Sequence, residues 1–488
     1  TPLGKPKLRF HSDLFSPDRM RLLIASLQQL ISRWAHLTRQ QLALLSLAGF
    51  LLLLVLLGEG NHQPNTALIQ TRLNQAQPVE TWKANIQESE IRGVWITNVA
   101  SSVLFAPWGI SRAVHELADM HFNTLYPVVW NRGKSFYHSD TLKQLTGHAI
   151  APLMTLTHPT ADPLETMLKE GHKNNLRVIP WFEYGFMVPL HSRLAQQHPN
   201  WLTTRQNGSP YLHESSFTEG ADNENADNES ADNESADNES TESAEQTNGL
   251  LSRLLNSGAP SELGWLNPLH PEVQSLILSL VGEVVGEYSV DGIQFDDHFA
   301  LPAAFGYDDY TVALYREEHE GQFPPTNTDD AEWTRWRADK LSQFVGVLHE
   351  RVKATCPTCI ISLSPNPATF AYRYHLQDWR TWLKNGWLDE LVVQVYRDDP
   401  EKFEGELAKD TLQSSMDKIP VSIGILTGTW KRPISFEQIR AQVISSRDHH
   451  LSGVSFFYWD TLWSYFTPES PQQRRQNFRD LFADEPTR

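Results

Sequence analysis

Eight short apolar runs, separated by amphipathic stretches, occupy the chain between residues 91 and 460. They read "RGVWITN" (92–98), "NTLYPVVWN" (123–131), "LRVIPWFEYG" (176–185), "DGIQFDDHF" (291–299), "CIISLSPNP" (359–367), "ELVVQVYRD" (390–398), "VSIGILTG" (421–428) and "GVSFFYWD" (453–460). Between them lie helical patterns such as "SRAVHELADM", "PLETMLKEGHKNN", "PEVQSLILSLVGEVVGEY", "EWTRWRADKLSQFVGVLHERVKA" and "SFEQIRAQVISSRD", with apolar residues recurring three and four positions apart. Strand and helix signals alternating in this number predict an α/β fold, a (β/α)8 TIM barrel. A doubly wound open sheet is the competing architecture. It usually has fewer strands and a Gly-rich turn after the first, whereas here the first strand ends "ITNVASS".

Two other patterns interrupt the alternation. "LALLSLAGFLLLLVLLG" (42–58) is uncharged and about long enough to cross a bilayer as a helix. Arg19, Arg21, Arg33 and Arg39 precede it, so the positive-inside bias keeps 1–41 in the cytoplasm and sends everything after Glu59 across. The expectation is a single-pass anchor in a bacterial inner (plasma) membrane, with a polar tether at 59–89 and the barrel, 90–485, on the periplasmic or extracytoplasmic side. A cleavable signal peptide is the rival reading, but "GEGNHQPNTA" holds no clear A-x-A site. The stretch 186–289, between strands 3 and 4, is a long insertion expected to add walls or a lid to the site. Within it, at about 218–248, stands the acidic repeat "ADNENADNESADNESADNES". It has no apolar residue larger than Ala and is read as a disordered surface insertion. It lacks the Gly turn and terminal Glu of a calcium-binding EF-hand loop.

Composition narrows the function. The chain of 488 residues is 40% hydrophobic and carries a net charge of -18, so it can bury a large core but offers no basic face to a nucleic acid. Its 16 Trp suggest indole platforms for sugar rings as well as core. No cofactor and no metal are expected.

Alternation along the strands selects the candidate chemistry. If Ile293 and Phe295 face outward, Gln294, Asp296 and His298 face the lumen, while Asp297 points away or lies where strand yields to loop. The same phase turns Trp181 and Glu183 inward on the third strand, Ser362, Ser364 and Asn366 on the fifth, and Gln394, Tyr396 and Asp398 on the sixth. Tyr458 and Asp460 share a face on the eighth. The ends of the first three strands add Asn98, Trp130, Asn131, Arg132 and Tyr184 as candidate sugar contacts. Clustered carboxylates on one rim are costly unless they do chemistry, and paired carboxylates are the apparatus of glycosidic cleavage. Asp296 is assigned as nucleophile or base and Glu183 as general acid. Asp297 completes the acidic group, although it would equally cap a helix or bind an Arg, and Asp460 would equally cap "TLWSYF". His298 is read as a hydrogen-bonding neighbour.

"EIRGVWITNV", "FNTLYPVVWNRG", "RVIPWFEYGFM", "VDGIQFDDHF" and "WLDELVVQVYR" fall in order on successive strands and resemble the glycosyl hydrolase-like 10 family, over about residues 88 to 485. The resemblance implies a (β/α)8 barrel with glycoside hydrolase activity, and it implies peptidoglycan strands stripped of peptide as a substrate, since a characterised relative acts on them. The family's acidic pair after the fourth strand maps onto Asp296 and Asp297, and its Glu after the third onto Glu183. Two alternatives stand beside this reading: a non-catalytic glycan-binding barrel, and a metal-dependent hydrolase, which would need a His-x-His pair where Thr97 and Asn98 stand. Cys356 and Cys359, in "CPTC" before the fifth strand, are read as a structural pair. The loop "LTGTWKRP" offers Trp430, Lys431 and Arg432 for a substrate carboxylate.

Overall fold

The computed structural model describes residues 90–99, 101–158, 161–211, 262–429, 432–464 and 467–483. The expected membrane span, the tether, the acidic repeat, Trp430 and Lys431 lie outside them. Among the described residues no helix is long and apolar enough to cross a membrane.

All eight apolar runs form strands: β1 Ile91–Ile96, β2 Thr124–Asn131, β3 in two pieces (Arg177–Val178 and Trp181–Phe182), β4 Gly292–Asp296, β5 Ile360–Ser364, β6 Glu390–Gln394, β7 Val421–Leu426 and β8 Gly453–Phe457. Each pairs in parallel with the next, and β8 pairs with β1, which closes the barrel. The gap in β3 falls at Pro180, which has no N–H to give a ladder. A helix follows each stave: α1 Pro107–Asp119, α2 Pro163–Lys173, α3 Pro271–Glu287, α4 Ala331–Thr355, α5 Trp379–Lys384, α6 Pro400–Leu407, α7 Phe436–Asp448 and α8 Pro471–Ala483. α3 shows why these segments are helical and docked. Val273, Leu276, Ile277, Leu280, Val281 and Val284 recur at helical spacing and are all buried.

The lumen fills in layers. At its N-terminal end Arg177 pairs with Glu390 at 3.0 Å, and Glu390 also accepts from Tyr126 (3.0 Å) and Ser362 (2.9 Å). Above them the Trp95 indole donates to Gln294 at 2.6 Å, and Gln294 donates to Ser362 at 3.0 Å. Trp95, Trp181 and Phe457 pack edge to face over this layer, with centroids 6.1 to 6.4 Å apart, and form the floor of the open end.

The described ends of the β3–β4 insertion form a small antiparallel pair, Met187–Pro189 with Leu263–Trp265. It is pinned to the β4–α4 connection by a buried network in which Asp308 accepts from Thr203 (2.7 Å), Asn267 (2.9 Å) and Thr311 (3.1 Å). Cys356 and Cys359 are joined as a disulfide just before β5, at the end of the barrel away from the site.

Candidate active site

The strand pairing brings the two principal carboxylates together. Trp181 stands opposite Gln294 and Phe182 opposite Phe295, so the next residues, Glu183 and Asp296, leave adjacent staves side by side. Both are buried, Glu183 4% and Asp296 3% exposed. Glu183 accepts hydrogen bonds from the Thr97 hydroxyl and the Asn131 amide, each at 2.8 Å, and Asn131 also donates to Asn98 at 2.9 Å. Burial pushes the Glu183 carboxyl up to about 7; the bonds from Thr97 and Asn131 and the Arg132 charge resist, and the Asp296 charge adds to the rise. Asp296 accepts from the Trp181 indole (3.1 Å) and from the His298 backbone N–H (2.9 Å). Burial raises it too, with His298 opposing and Asp297 reinforcing.

Asp297 is held ionised. The strand ends at Asp296, and Asp297 turns toward the neighbouring staves, where Asn366 (3.0 Å) and Gln394 (3.2 Å) donate to it. Among the described residues it neither caps a helix nor pairs with an Arg. Burial works against its charge, but the His298 imidazolium outweighs burial, joined by His375 and the bond from Gln394, and holds it well below the usual carboxylate range. Nδ1 of His298 lies 3.4 Å from Asp296 and 3.3 Å from Asp297. Burial alone would lower His298; the two aspartates overcome it and raise it to about 10. Asp296, Asp297 and His298 each turn one ligand atom to a point within 4.8 Å of the others, the spacing of a metal cradle.

The remaining candidates divide by depth. The Tyr184 ring packs tilted against His298, centroids 4.7 Å apart, and the Arg132 guanidinium lies 4.3 Å from the Tyr184 ring centroid. Tyr396 packs 5.9 Å from Phe457 and is raised well above the ordinary tyrosine range by burial and then by Asp297 and Asp296. Asp460, mostly buried, is pushed up to about 6 by burial against a hydrogen bond from Ser101. Tyr458 rises to about 12 through burial, Asp460 and Glu183.

Three expected sugar contacts stand elsewhere. Trp130 is 0% exposed and donates to the Gly185 carbonyl at 2.7 Å, so its ring supports the β3 loop from inside. Gln294 belongs to the lumen layer below. Asp398 lies beyond the end of β6, exposed, on the Arg432 guanidinium and 3.4 Å from Gln438. That pairing also engages Arg432, which had been expected to meet a substrate anion. Thr97, Ser101 and His375 were not singled out as site groups. His375 is buried, is held down to about 4 by burial, and faces Asp297 and His298. It lies at the end of the helix Ala368–His375, where no strand periodicity signals it.

The chain matches the glycosyl hydrolase-like 10 family over residues 90–220 and 235–444, and the interruption falls within the acidic repeat. It is similar to the glycosyl hydrolase DigH of Escherichia coli (strain K12), 24% identical over 351 residues, 67% of each chain. It is also similar to the glycosyl hydrolase YngK of Bacillus subtilis (strain 168), 22% identical over 350 residues, 64% of this chain and 55% of that one. In fold it is similar to the PgaB (BpsB) glycoside hydrolase domain from Bordetella bronchiseptica, with a TM-score of 0.54 and 13% identity over 80% of this chain and 99% of that domain.

Proposed function

This chain belongs to the glycosyl hydrolase-like 10 family and is a glycoside hydrolase; from that premise we propose that Glu183 is its general acid, Asp296 its base or nucleophile, and the glycan strands of peptidoglycan its substrate. The observation that carries the assignment is the adjacent buried pair, Glu183 and Asp296, with Glu183 raised to about 7 so that it keeps a proton to give.

Cleavage then proceeds in two linked proton movements. Glu183 passes its proton to the glycosidic oxygen as the bond to the anomeric carbon breaks. Asp296 either attacks that carbon, and a water that gives a proton back to Glu183 then hydrolyses the glycosyl ester, or takes a proton from a water that attacks the carbon directly. Asp297, fixed in its ionised form by His298, Asn366 and Gln394, holds His298 against Asp296 and keeps that carboxylate aimed. Tyr184 and Tyr458 offer ring and hydroxyl to the sugar at the mouth. The apolar run 42–58, read as an anchor with Arg19, Arg21, Arg33 and Arg39 before it, supports a site on the extracytoplasmic side. Support for peptidoglycan is the similarity to a curated bacterial glycosyl hydrolase at 24% identity, together with the extracytoplasmic side proposed for the site.

The test is incubation of the purified protein, and of its Glu183→Gln and Asp296→Asn variants, with peptide-free peptidoglycan strands, with products identified by mass spectrometry. Shortened strands are expected from the wild type, with rates lower by about 10²–10⁴-fold in Glu183→Gln. Intact strands from the wild type would discard peptidoglycan as substrate, and wild-type rates in both variants would discard the catalytic pair.

A further inference from the structure

The aromatic side chains left in solvent gather at one end of the barrel. Three of them are exposed among the described residues: Trp108 at 64%, Phe323 at 68% and Tyr374 at 46%. All three lie on connections that run from the C-terminal end of a stave to its helix, the end that carries Glu183 and Asp296. Trp108 opens α1 at the close of the β1 connection, Phe323 stands in the β4–α4 connection, and Tyr374 is near the end of the helix Ala368–His375 that follows β5. Of the exposed aliphatic residues, Val347 and Ile444 sit on α4 and α7, and Leu156 on the short helix Pro152–Thr157 of the β2–α2 connection.

Phe323 and Tyr374 each have a guanidinium beside the ring, Arg316 at 4.3 Å and Arg373 at 5.4 Å, and Tyr374 also packs 4.7 Å from Phe370, yet both stay exposed. Trp108 and Tyr374 lie on the staves farthest apart, and barrel closure sets their relation. In the order β1 to β8, β1 and β5 are four staves apart in either direction, so the two rings stand on opposite sides of the mouth. Each belongs to a connection that also serves the catalytic centre. The β1 connection begins with Thr97, which donates to Glu183, and the β5 connection carries Asn366, which donates to Asp297. A large ring held in water on both flanks of a carboxylate pair, each on a segment tied to that pair, matches a polymer of pyranose rings lying across the opening, since an aromatic face stacks on the apolar C–H face of a sugar.

We infer that Trp108 and Tyr374 are outer stacking platforms of an open, two-sided cleft, and that the enzyme binds an internal stretch of a polysaccharide and cleaves within the chain. The inference rests on the glycan-directed reading of the site, and the following experiment separates the two. Binding to peptide-free peptidoglycan strands is measured in the full-length Glu183→Gln protein, which retains the site without its acid, by retardation in affinity electrophoresis. Trp108→Ala and Tyr374→Ala, made separately and together in that background, are expected to weaken retention several-fold each, and Trp108→Phe to restore most of it. In the otherwise wild-type protein the same alanine variants should raise KM for long strands while leaving turnover of a purified tetrasaccharide of the same strands unchanged. Early products should span many lengths instead of a single short fragment. Unchanged retention in the double variant, an equal loss on tetrasaccharide and polymer, or a single released fragment from the first turnover would each overturn the inference. Binding that follows the platforms in a protein that cleaves nothing would support them and count against the proposed reaction alone.

Discussion

A buried carboxyl that keeps its proton near neutrality is useful to a leaving group and costly to the fold, and Glu183 shows both sides. Its ordinary value in an unfolded chain is 4.5 and its value in the folded site is about 7. Between these pH values the folded state holds a proton that the unfolded state has lost, so stability declines as pH rises from 4.5 to 7, by about 3 kcal/mol in total. Glu183→Gln retains an oxygen to accept from Thr97 and Asn131 but has no charge to desolvate. Its melting temperature should therefore exceed that of the wild type above pH 7 and match it below pH 4.5, while activity collapses; equal melting curves at pH 8 would show that the carboxyl is not held up. In the wild type, kcat/KM should fall as pH rises past about 7, where Glu183 loses its proton. His298 offers a second reading of the same cluster. Asp297→Asn removes the larger of its two anionic neighbours, so its imidazole, raised to about 10, should titrate lower, as followed by NMR of the ring. The alternation of "GIQFDDH" was enough to place Asp296 and His298 in the lumen, and the turn at Asp297 was one of the two readings it allowed. Depth was not legible: Gln294 and Trp130 show the same kind of pattern as true surface contacts, and only the closed barrel reveals that other side chains cover them. Nor could Thr97 or His375 be found, since each becomes a partner only when staves far apart in sequence meet.

At the scale of the element, the chain leaving β3 governs the site more than β3 itself does. Tyr184 adopts a positive φ of 59° and Gly185 one of 36°, and this turn swings the insertion back over β4. A methyl group on Gly185 would fall 2.3 Å from the His298 carbonyl oxygen, a backbone atom with nowhere to move. Gly185→Ala is expected to cost about 2 kcal/mol or more in denaturant unfolding and to displace His298, with activity falling further than stability alone explains. Unaltered stability would mean that the turn is not tightly packed there. The insertion reinforces the same point from behind: Trp265 donates to the Ala300 carbonyl at 2.8 Å, and the Phe186 and Phe299 rings stack 5.0 Å apart. Length alone marked this segment as unusual; its described ends act as a wall behind the β4 loop.

For the molecule as a whole, counting apolar runs was sufficient for the barrel, because eight strand–helix units with no glycine-rich turn leave few other ways to close a parallel sheet. What the count missed is how the closed lumen is filled. Glu390 looks like the polar start of a strand, and Arg177 like a charge at a strand edge, yet closure places them together in the core, both almost fully buried, with Tyr126, Ser362 and Thr124 supplying hydrogen bonds. A charge pair at that depth adds little net stability over an apolar equivalent, but losing one partner leaves the other desolvated and alone. Glu390→Gln should therefore destabilise the barrel by about 3–5 kcal/mol even though the glutamine oxygen can still accept from Tyr126 and Ser362. Adding Arg177→Met to that variant removes the stranded guanidinium and should return part of the loss, making the double variant more stable than the single one. Equilibrium unfolding in urea decides it. A single variant as stable as wild type, or a double variant weaker than the single by the full cost of Arg177, would show that the pair supports the barrel through packing and not through charge.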